Sequence, residues 1–234
     1  MYWKMKSTNF QRPARRQPTR RIFLLSPASL TGRRAELLFR ETAAFELATR
    51  VRQAGASLGE IFSFISGLYF RGKLAYASAF SEPSSSESIF VITASHGLLA
   101  PDILIRRDRL REMAHVPISV SDPRYRVPLE RDMARLAAQI GHGDEVVLLG
   151  SIATPKYIEP LCSVLGERVM IPSDFIGRGD MSRGSLMLRA VRDKTQLAYM
   201  PAASLLQIRK ARHLGPLDSA QKHPSRFRCS PASR

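Results

Sequence analysis

The sequence predicts an α/β fold: a mainly parallel sheet of about five strands with helices on both faces. Three short apolar runs, at residues 22–25, 89–93 and 146–149, each stop at a loop rich in Ser, Thr or Gly. Longer segments with apolar residues at helical spacing separate them, and strands that alternate with helices favour parallel crossovers over hairpins. With 234 residues the chain is long enough for one substantial core.

In chain order, residues 1–21 carry seven Lys or Arg and no acid, a +7 segment that also holds the Pro and Gln expected of a disordered tail. Ile22-Phe23-Leu24-Leu25 is the first strand, and Ser26-Pro27-Ala28-Ser29-Leu30-Thr31-Gly32 the loop that ends it. Residues 33–52 have strong helix formers, with Leu37, Ala44, Ala48 and Val51 on one stripe and Leu38 and Phe45 beside it. Gly55 terminates that helix. Ser57 and Glu60 then form the two ends of a capping box. The helix they open shows Ile61, Ile65, Leu68, Ala75 and Ala79 on one face. Gly67 and Gly72 interrupt it, which predicts a kink or two shorter helices.

A Pro/Ser/Glu linker at 81–88 leads to the strand at 89–93 and the loop Ala94-Ser95-His96-Gly97. Residues 104–114 read as a short surface helix, and Asp122-Pro123-Arg124 as a turn into a helix at 129–140. Its stripe of Leu129, Met133, Leu136, Ala137 and Ile140 is the cleanest in the chain. A strand at 145–149 follows, then Gly150-Ser151-Ile152-Ala153-Thr154. Thr154-Pro155 suits an N-cap and first helical residue, and Pro160 is expected to break that helix or start a second. Residues 168–171 form a fourth strand and 197–200 a fifth, with a helix at 180–191 between them and Asp180 as its N-cap. Residues 204–234 form a second basic tail of net +6. Subtracting both tails from the total of +16 leaves +3 for the body, so one mildly basic domain at 22–203 lies between two basic extensions.

The net charge invites a nucleic-acid reading that its distribution weakens: the tails are either DNA- or RNA-binding arms that act through counterion release or solvated extensions, and the body is only mildly basic. No apolar run approaches the ~20 residues needed to span a bilayer, and the N-terminus lacks a secretory pattern. A cytoplasmic protein without a membrane partner is expected. Cys162 and Cys229 form no disulfide framework, and no spacing of His, Cys, Asp or Glu argues for a metal. The expectation is a protein without a metal or cofactor.

The three strand-end loops predict one polar site, because ligands bind outside the carboxyl ends of strands in open α/β sheets. Ser26, Ser29, Thr31, Ser95, Gly150 and Ser151 are its candidates, together with Tyr157 in the first turn after Thr154. Lys156 places a cation beside Tyr157. Gly177-Arg178-Gly179-Asp180 adds a glycine turn ahead of a helix, suited to an anion with Arg178 and Arg183 adding charge, although its third glycine, Gly184, comes too late for a dinucleotide fingerprint. His96 is the histidine best placed for proton transfer, with Asp102 as the acid nearest the same rim. No serine lies in a G-x-S-x-G elbow. Tyr69-Phe70-Arg71-Gly72-Lys73 mixes aromatic and basic residues as base-stacking surfaces do, but its spacing with Ile65, Leu68 and Tyr76 reads as core.

Residues 22–30, I-F-L-L-S-P-A-S-L, resemble the opening strand and Ser-Pro-Ala-Lys-Thr-Leu loop of the YaaA family of peroxide-stress proteins. Ser66-Gly67-Leu68-Tyr69, T-A-S-H-G-L-L-A-P-D at 93–102 and residues 107–113 are similar to a related family of small uncharacterised bacterial domains. Gly150, Tyr157 and Gly177-Arg178-Gly179 match that pattern's later glycine, tyrosine helix and glycine turn. The resemblance spans about residues 22–192, and it implies DNA binding and a role in stress. Two lysines of the pattern are Ser29 and Ser95 here, so two charges are lost.

Three functions remain open at this point. The first is a bacterial YaaA-like protein that binds nucleic acid or a nucleotide-like anion at the composite site. The second is an enzyme on a nucleoside, base or phosphorylated small molecule, with His96 as acid/base and Asp102 or Asp180 in support. The third is a scaffold whose site is vestigial.

Overall fold

The computed structural model describes residues 20–82, 88–152 and 154–206. The basic tails lie almost wholly outside the described residues, as do residues 83–87 of the 81–88 linker. Along the chain the strands are β1 (Arg21–Leu25), β2 (Ala56–Ser57), β3 (Ile89–Ile92), β4 (Leu98–Leu99), β5 (Leu104–Ile105), β6 (Glu145–Leu149), β7 (Val169–Pro172) and β8 (Tyr199–Pro201). Six form one sheet in the order β4-β3-β1-β6-β7-β8, while β2 and β5 make a separate antiparallel ribbon. The four inner strands β3, β1, β6 and β7 are parallel. The edge strands β4 and β8 run antiparallel to their neighbours. The fold is thus α/β with a mainly parallel sheet.

The runs at 22–25 and 146–149 became strands because every residue could be buried. Ile22 to Leu25 and Val146 to Leu149 are inaccessible, and consecutive residues of a strand point to opposite faces. Each such side chain contributes about 1.5–3 kcal/mol of burial. The edge strands were set by turns. Gly97, with φ +66°, reverses the chain after β3, and its carbonyl accepts from Thr93 N at 2.8 Å and Thr93 Oγ1 at 2.9 Å. A Cβ on Gly97 would stand 2.6 Å from Pro128 O, so the turn admits only glycine. At the other edge Ser173 N donates to Ala198 O at 2.9 Å. The chain therefore enters beside the carboxyl end of β7 and runs back along it.

The helices are α1 (Arg33–Phe39), α2 (Glu46–Gln53), α3 (Leu58–Ser66), α4 (Leu68–Phe80), α5 (Arg107–Ala114), α6 (Pro123–Gln139), α7 (Pro155–Leu165) and α8 (Asp180–Arg192). Several of them differ from expectation. The continuous helix expected over 33–52 is two, because the carbonyls of the break are captured by arginines: Arg52 Nη1 donates to Ala43 O at 2.6 Å and Arg111 Nη2 to Phe39 O at 3.3 Å. Residues 104–105 pair as a strand with β2, so the surface helix starts at Arg107. Asp122 caps Arg124 N at 2.9 Å, and α6 begins at Pro123, six residues before its apolar stripe. Pro160 neither breaks α7 nor starts a new helix. The carbonyl that it deprives, Lys156 O, accepts instead from the Tyr125 hydroxyl at 2.9 Å.

Gly67, with φ +61°, separates α3 from α4 and so realises the two-helix alternative. It also rotates the buried face of α4 to Tyr69, Phe70, Gly72, Lys73, Tyr76 and Ala77. Ala79, expected on that face, is exposed. The Ser57 side chain accepts from Glu60 N at 3.3 Å, but Glu60 turns its carboxylate to Arg50, so half of the capping box forms. The helix at 180–191 is α8, whose N-cap is Gly179; Asp180 is its first residue, not its cap.

Two glycines bring α4 and α8 together. A Cβ on Gly72 would stand 2.8 Å from Gly184 O, and one on Gly184 would stand 3.0 Å from both Leu68 O and Tyr69 Cα. The two helices touch backbone to backbone. Among the described residues no helix is long and apolar enough to cross a membrane.

Candidate functional site

The sheet order fixes where a cleft can open. The connection after β1 leads to β3 on one side, and the connection after β6 leads to β7 on the other. Loops that diverge from neighbouring parallel strands leave a crevice outside their carboxyl ends. A cleft of about 930 Å³ lies there, lined by Ser26 to Gly32 after β1 and by Ser151, Lys156 and Tyr157 after β6. Gly150 joins the two sides: a Cβ on it would stand 2.8 Å from Ser26 Cβ.

Helix ends complete the walls. Phe62, Ile65 and Ser66 of α3, Tyr69 of α4 and Asp180 of α8 face residues 113–118 at the end of α5 and beyond. The cleft is two-sided in character. Phe62, Ile65, Leu30, Met113, Val116 and Ile118 give an apolar wall. Ser26, Ser29, Thr31 and Ser151 supply hydroxyls, and Arg33, Arg34 and Lys156 three fixed cations against the single carboxylate of Asp180. Ser29 and Thr31 share a hydrogen bond of 3.0 Å, Arg34 Nη1 donates to Phe64 O at 3.2 Å, and Lys156 Nζ lies 5.1 Å from the Tyr157 ring centroid. His115 also lines the cleft, with Nδ1 2.6 Å from Arg111 O.

Behind Ser26 lies Lys73, a lysine of α4 only 1% exposed. Its Nζ donates to Ser26 O and, at 2.9 Å, to Ser26 Oγ. The Tyr69 and Phe70 rings lie 4.5 Å and 4.8 Å from it. Burial pushes this amine down to about 7, and the more distant Asp180 carboxylate draws it part of the way back. Tyr69 is buried, and its hydroxyl has no hydrogen-bond partner among the described residues. Burial pushes that phenol up to about 12; Arg183 acts in the opposite direction without reaching hydrogen-bond geometry. Arg183, itself buried, donates to Phe175 O through Nε at 3.2 Å and Nη2 at 3.1 Å and pairs with Asp180 at 3.4 Å.

Of the residues singled out in the sequence, Ser26, Ser29, Thr31, Ser151, Tyr157 and Asp180 meet at this cleft, with Gly150 directly beneath it. Gly177, Arg178 and Gly179 precede α8 without lining it, and Arg178 donates to Ser182 Oγ at 3.3 Å. Ser95 and His96 lie elsewhere. They border a second depression of about 500 Å³ with Arg109, Arg131, Asp132 and Arg135. The turn at Gly97 carries them there, while Ala94 alone of that loop reaches the main cleft. His96 Nδ1 is 2.8 Å from Ser95 Oγ and its Nε2 3.6 Å from Glu112. Burial and then Arg109 hold its pKa below the usual histidine range. Asp102 is exposed in the turn after β4 and lines neither cavity.

Lys73, Arg33 and Arg34 were not among the residues chosen from the sequence, and Arg183, expected to add charge at the glycine turn, is buried on α8 without lining the cleft. The signal for Lys73 was present: a lysine at helical spacing with Tyr69, Phe70, Tyr76 and Ala77 occupies an otherwise apolar stripe. Among the described residues no group of three or more His, Cys, Asp or Glu could hold a metal ion. No family model, no curated protein and no solved structure matches this chain.

Proposed function

We propose that the cleft between the loops after β1 and β6 binds a nucleotide-like anion, either free or presented by a nucleic-acid strand. One observation carries this reading: three cations and the hydroxyls of Ser26, Ser29, Thr31 and Ser151 share one cavity with an apolar wall, against the carboxylate of Asp180. A phosphate suits the first set and a base or similar ring the second. The volume of about 930 Å³ lies in the range of small-molecule sites. The YaaA resemblance of the 22–30 loop agrees with this ligand class, and the basic tails would add backbone affinity for a strand. Catalysis by His96 finds less support, because His96 borders the other depression. A cytoplasmic location remains part of this proposal.

Isothermal titration tests the reading with a nucleoside monophosphate, the same nucleoside without phosphate, and a short single-stranded oligonucleotide. The nucleotide should bind at least about tenfold tighter than the nucleoside, the equivalent of ~1.4 kcal/mol from one phosphate contact. Replacing Arg33 and Lys156 with Ala together should remove that preference. Equal affinity for nucleoside and nucleotide, or no binding of any of the three, would defeat the proposal.

A further inference from the structure

We propose that Ser26 and Lys73 form a nucleophile–base pair, in which Ser26 Oγ attacks the acyl carbon of an ester that carries an anionic group and occupies the cleft. The inference rests on the reading of the cleft as an anion site, and it adds a reaction to it.

The geometry supplies each part. Ser26 lies at the carboxyl end of the central strand and lines the cleft, with Lys73 Nζ 2.9 Å from its Oγ on the buried side. Lys73 forms no ion pair among the described residues, and no carboxylate is hydrogen-bonded to it. A buried amine without a counter-ion gives up its proton readily, and burial has already brought this one down to about 7. In the neutral form an N–H still donates to Ser26 O, which aims the nitrogen lone pair at the Ser26 hydroxyl. The bare α-carbon of Gly150 leaves room for that hydroxyl. The Tyr69 side chain lines the same cleft, and its buried hydroxyl keeps its proton at neutral pH. Serine–lysine pairs are among the known variants of the serine nucleophile.

The step balances without a cofactor. The Ser26 Oγ proton passes to Lys73 Nζ as the Oγ–C bond forms, and the same proton leaves with the alkoxide as the ester C–O bond breaks. Water then attacks the acyl-serine, gives its proton to Nζ, and the proton returns to Ser26 Oγ as the acid departs.

A fluorophosphonate reagent tests the pair directly, because it needs only an activated hydroxyl and no recognition by the cationic rim. Attack forms an Oγ–P bond, breaks P–F and releases fluoride, with the proton on Lys73. The full-length protein should gain one adduct by intact mass, located at Ser26 by peptide mapping. Its rate should climb with pH and level off above about 7. Ser26→Ala should abolish the adduct, and Lys73→Met should slow it about 100-fold or more, the scale of general-base assistance. An absent adduct, an adduct at another residue, or a rate that is flat with pH would overturn the proposal. The pH profile of the unmodified protein decides the matter even where Lys73→Met fails to fold. Labelling without nucleotide binding would remove only the ligand reading, and binding without labelling only this one.

Discussion

The buried amine of Lys73 makes a prediction about stability that is independent of any ligand. In the unfolded chain its pKa is the ordinary 10.5, and in the folded protein about 7. At 1.36 kcal/mol per unit that gap corresponds to about 5 kcal/mol of destabilisation when both states are protonated. The penalty is full and constant below about pH 7. Between about 7 and 10.5 the unfolded chain holds one more proton than the folded one, so stability rises with pH by about 1.4 kcal/mol per unit. Lys73→Met removes the charge and keeps an unbranched side chain of similar reach. The variant should be more stable than the parent at pH 6 by about 3–4 kcal/mol, after about 1–1.5 kcal/mol is deducted for the lost bond to Ser26 O. That advantage should shrink steadily towards pH 9.5. Urea unfolding across this range reads the difference between the two proteins, and titrations common to both cancel in it. Parallel stability curves, or a variant that is weaker at pH 6, would show that Lys73 keeps its proton comfortably in the fold.

Three further substitutions probe features that position the cleft. Gly184→Ala places a methyl 3.0 Å from Leu68 O and Tyr69 Cα, both backbone, and should cost about 1–3 kcal/mol; thermal melting checks it. Gly97→Ala combines a φ of +66° with a contact of 2.6 Å to Pro128 O and should cost about 3 kcal/mol or more. Its signature in hydrogen exchange should be early opening of β3 and β4. Tyr125→Phe leaves Lys156 O without its donor and should lower unfolding free energy by about 1–3 kcal/mol, with weakened amide protection in α7.

The strands of the sheet were legible because burial on both faces demands continuous apolar runs, and the runs at 22–25, 89–93 and 146–149 are bounded by residues that end strands. The two-residue strands β2, β4 and β5 were not legible, since each exists only through its partner. Local pattern also misjudged segments whose backbone is satisfied from a distance. Arg52 and Arg111 stabilise the interruption after α1, and Tyr125 rescues α7 across Pro160. For the candidate site, the strand-end rule found Ser26, Ser29, Thr31, Ser151 and Tyr157, because topology alone brings those loops together, and the glycine turn ahead of α8 added Asp180. It misplaced Ser95 and His96 because a single positive φ at Gly97 turns them away. Lys73 was visible in its stripe, but the direction in which it faces was not. Whether a lysine in a mixed stripe faces solvent or the core depends on the rotation of α4, and Gly67 sets that rotation.

The backbone contact between α4 and α8 has a mechanical consequence. Lys73 and Tyr69 ride on one helix, Asp180 and Arg183 on the other, and no side chain at the Gly72–Gly184 crossing can yield to let the helices slide. This side of the cleft behaves as an anvil. The opposite side, residues 113–118, leaves α5 and continues without regular structure. A bulkier occupant would therefore be accommodated from that side alone, while the groups around Ser26 keep their spacing.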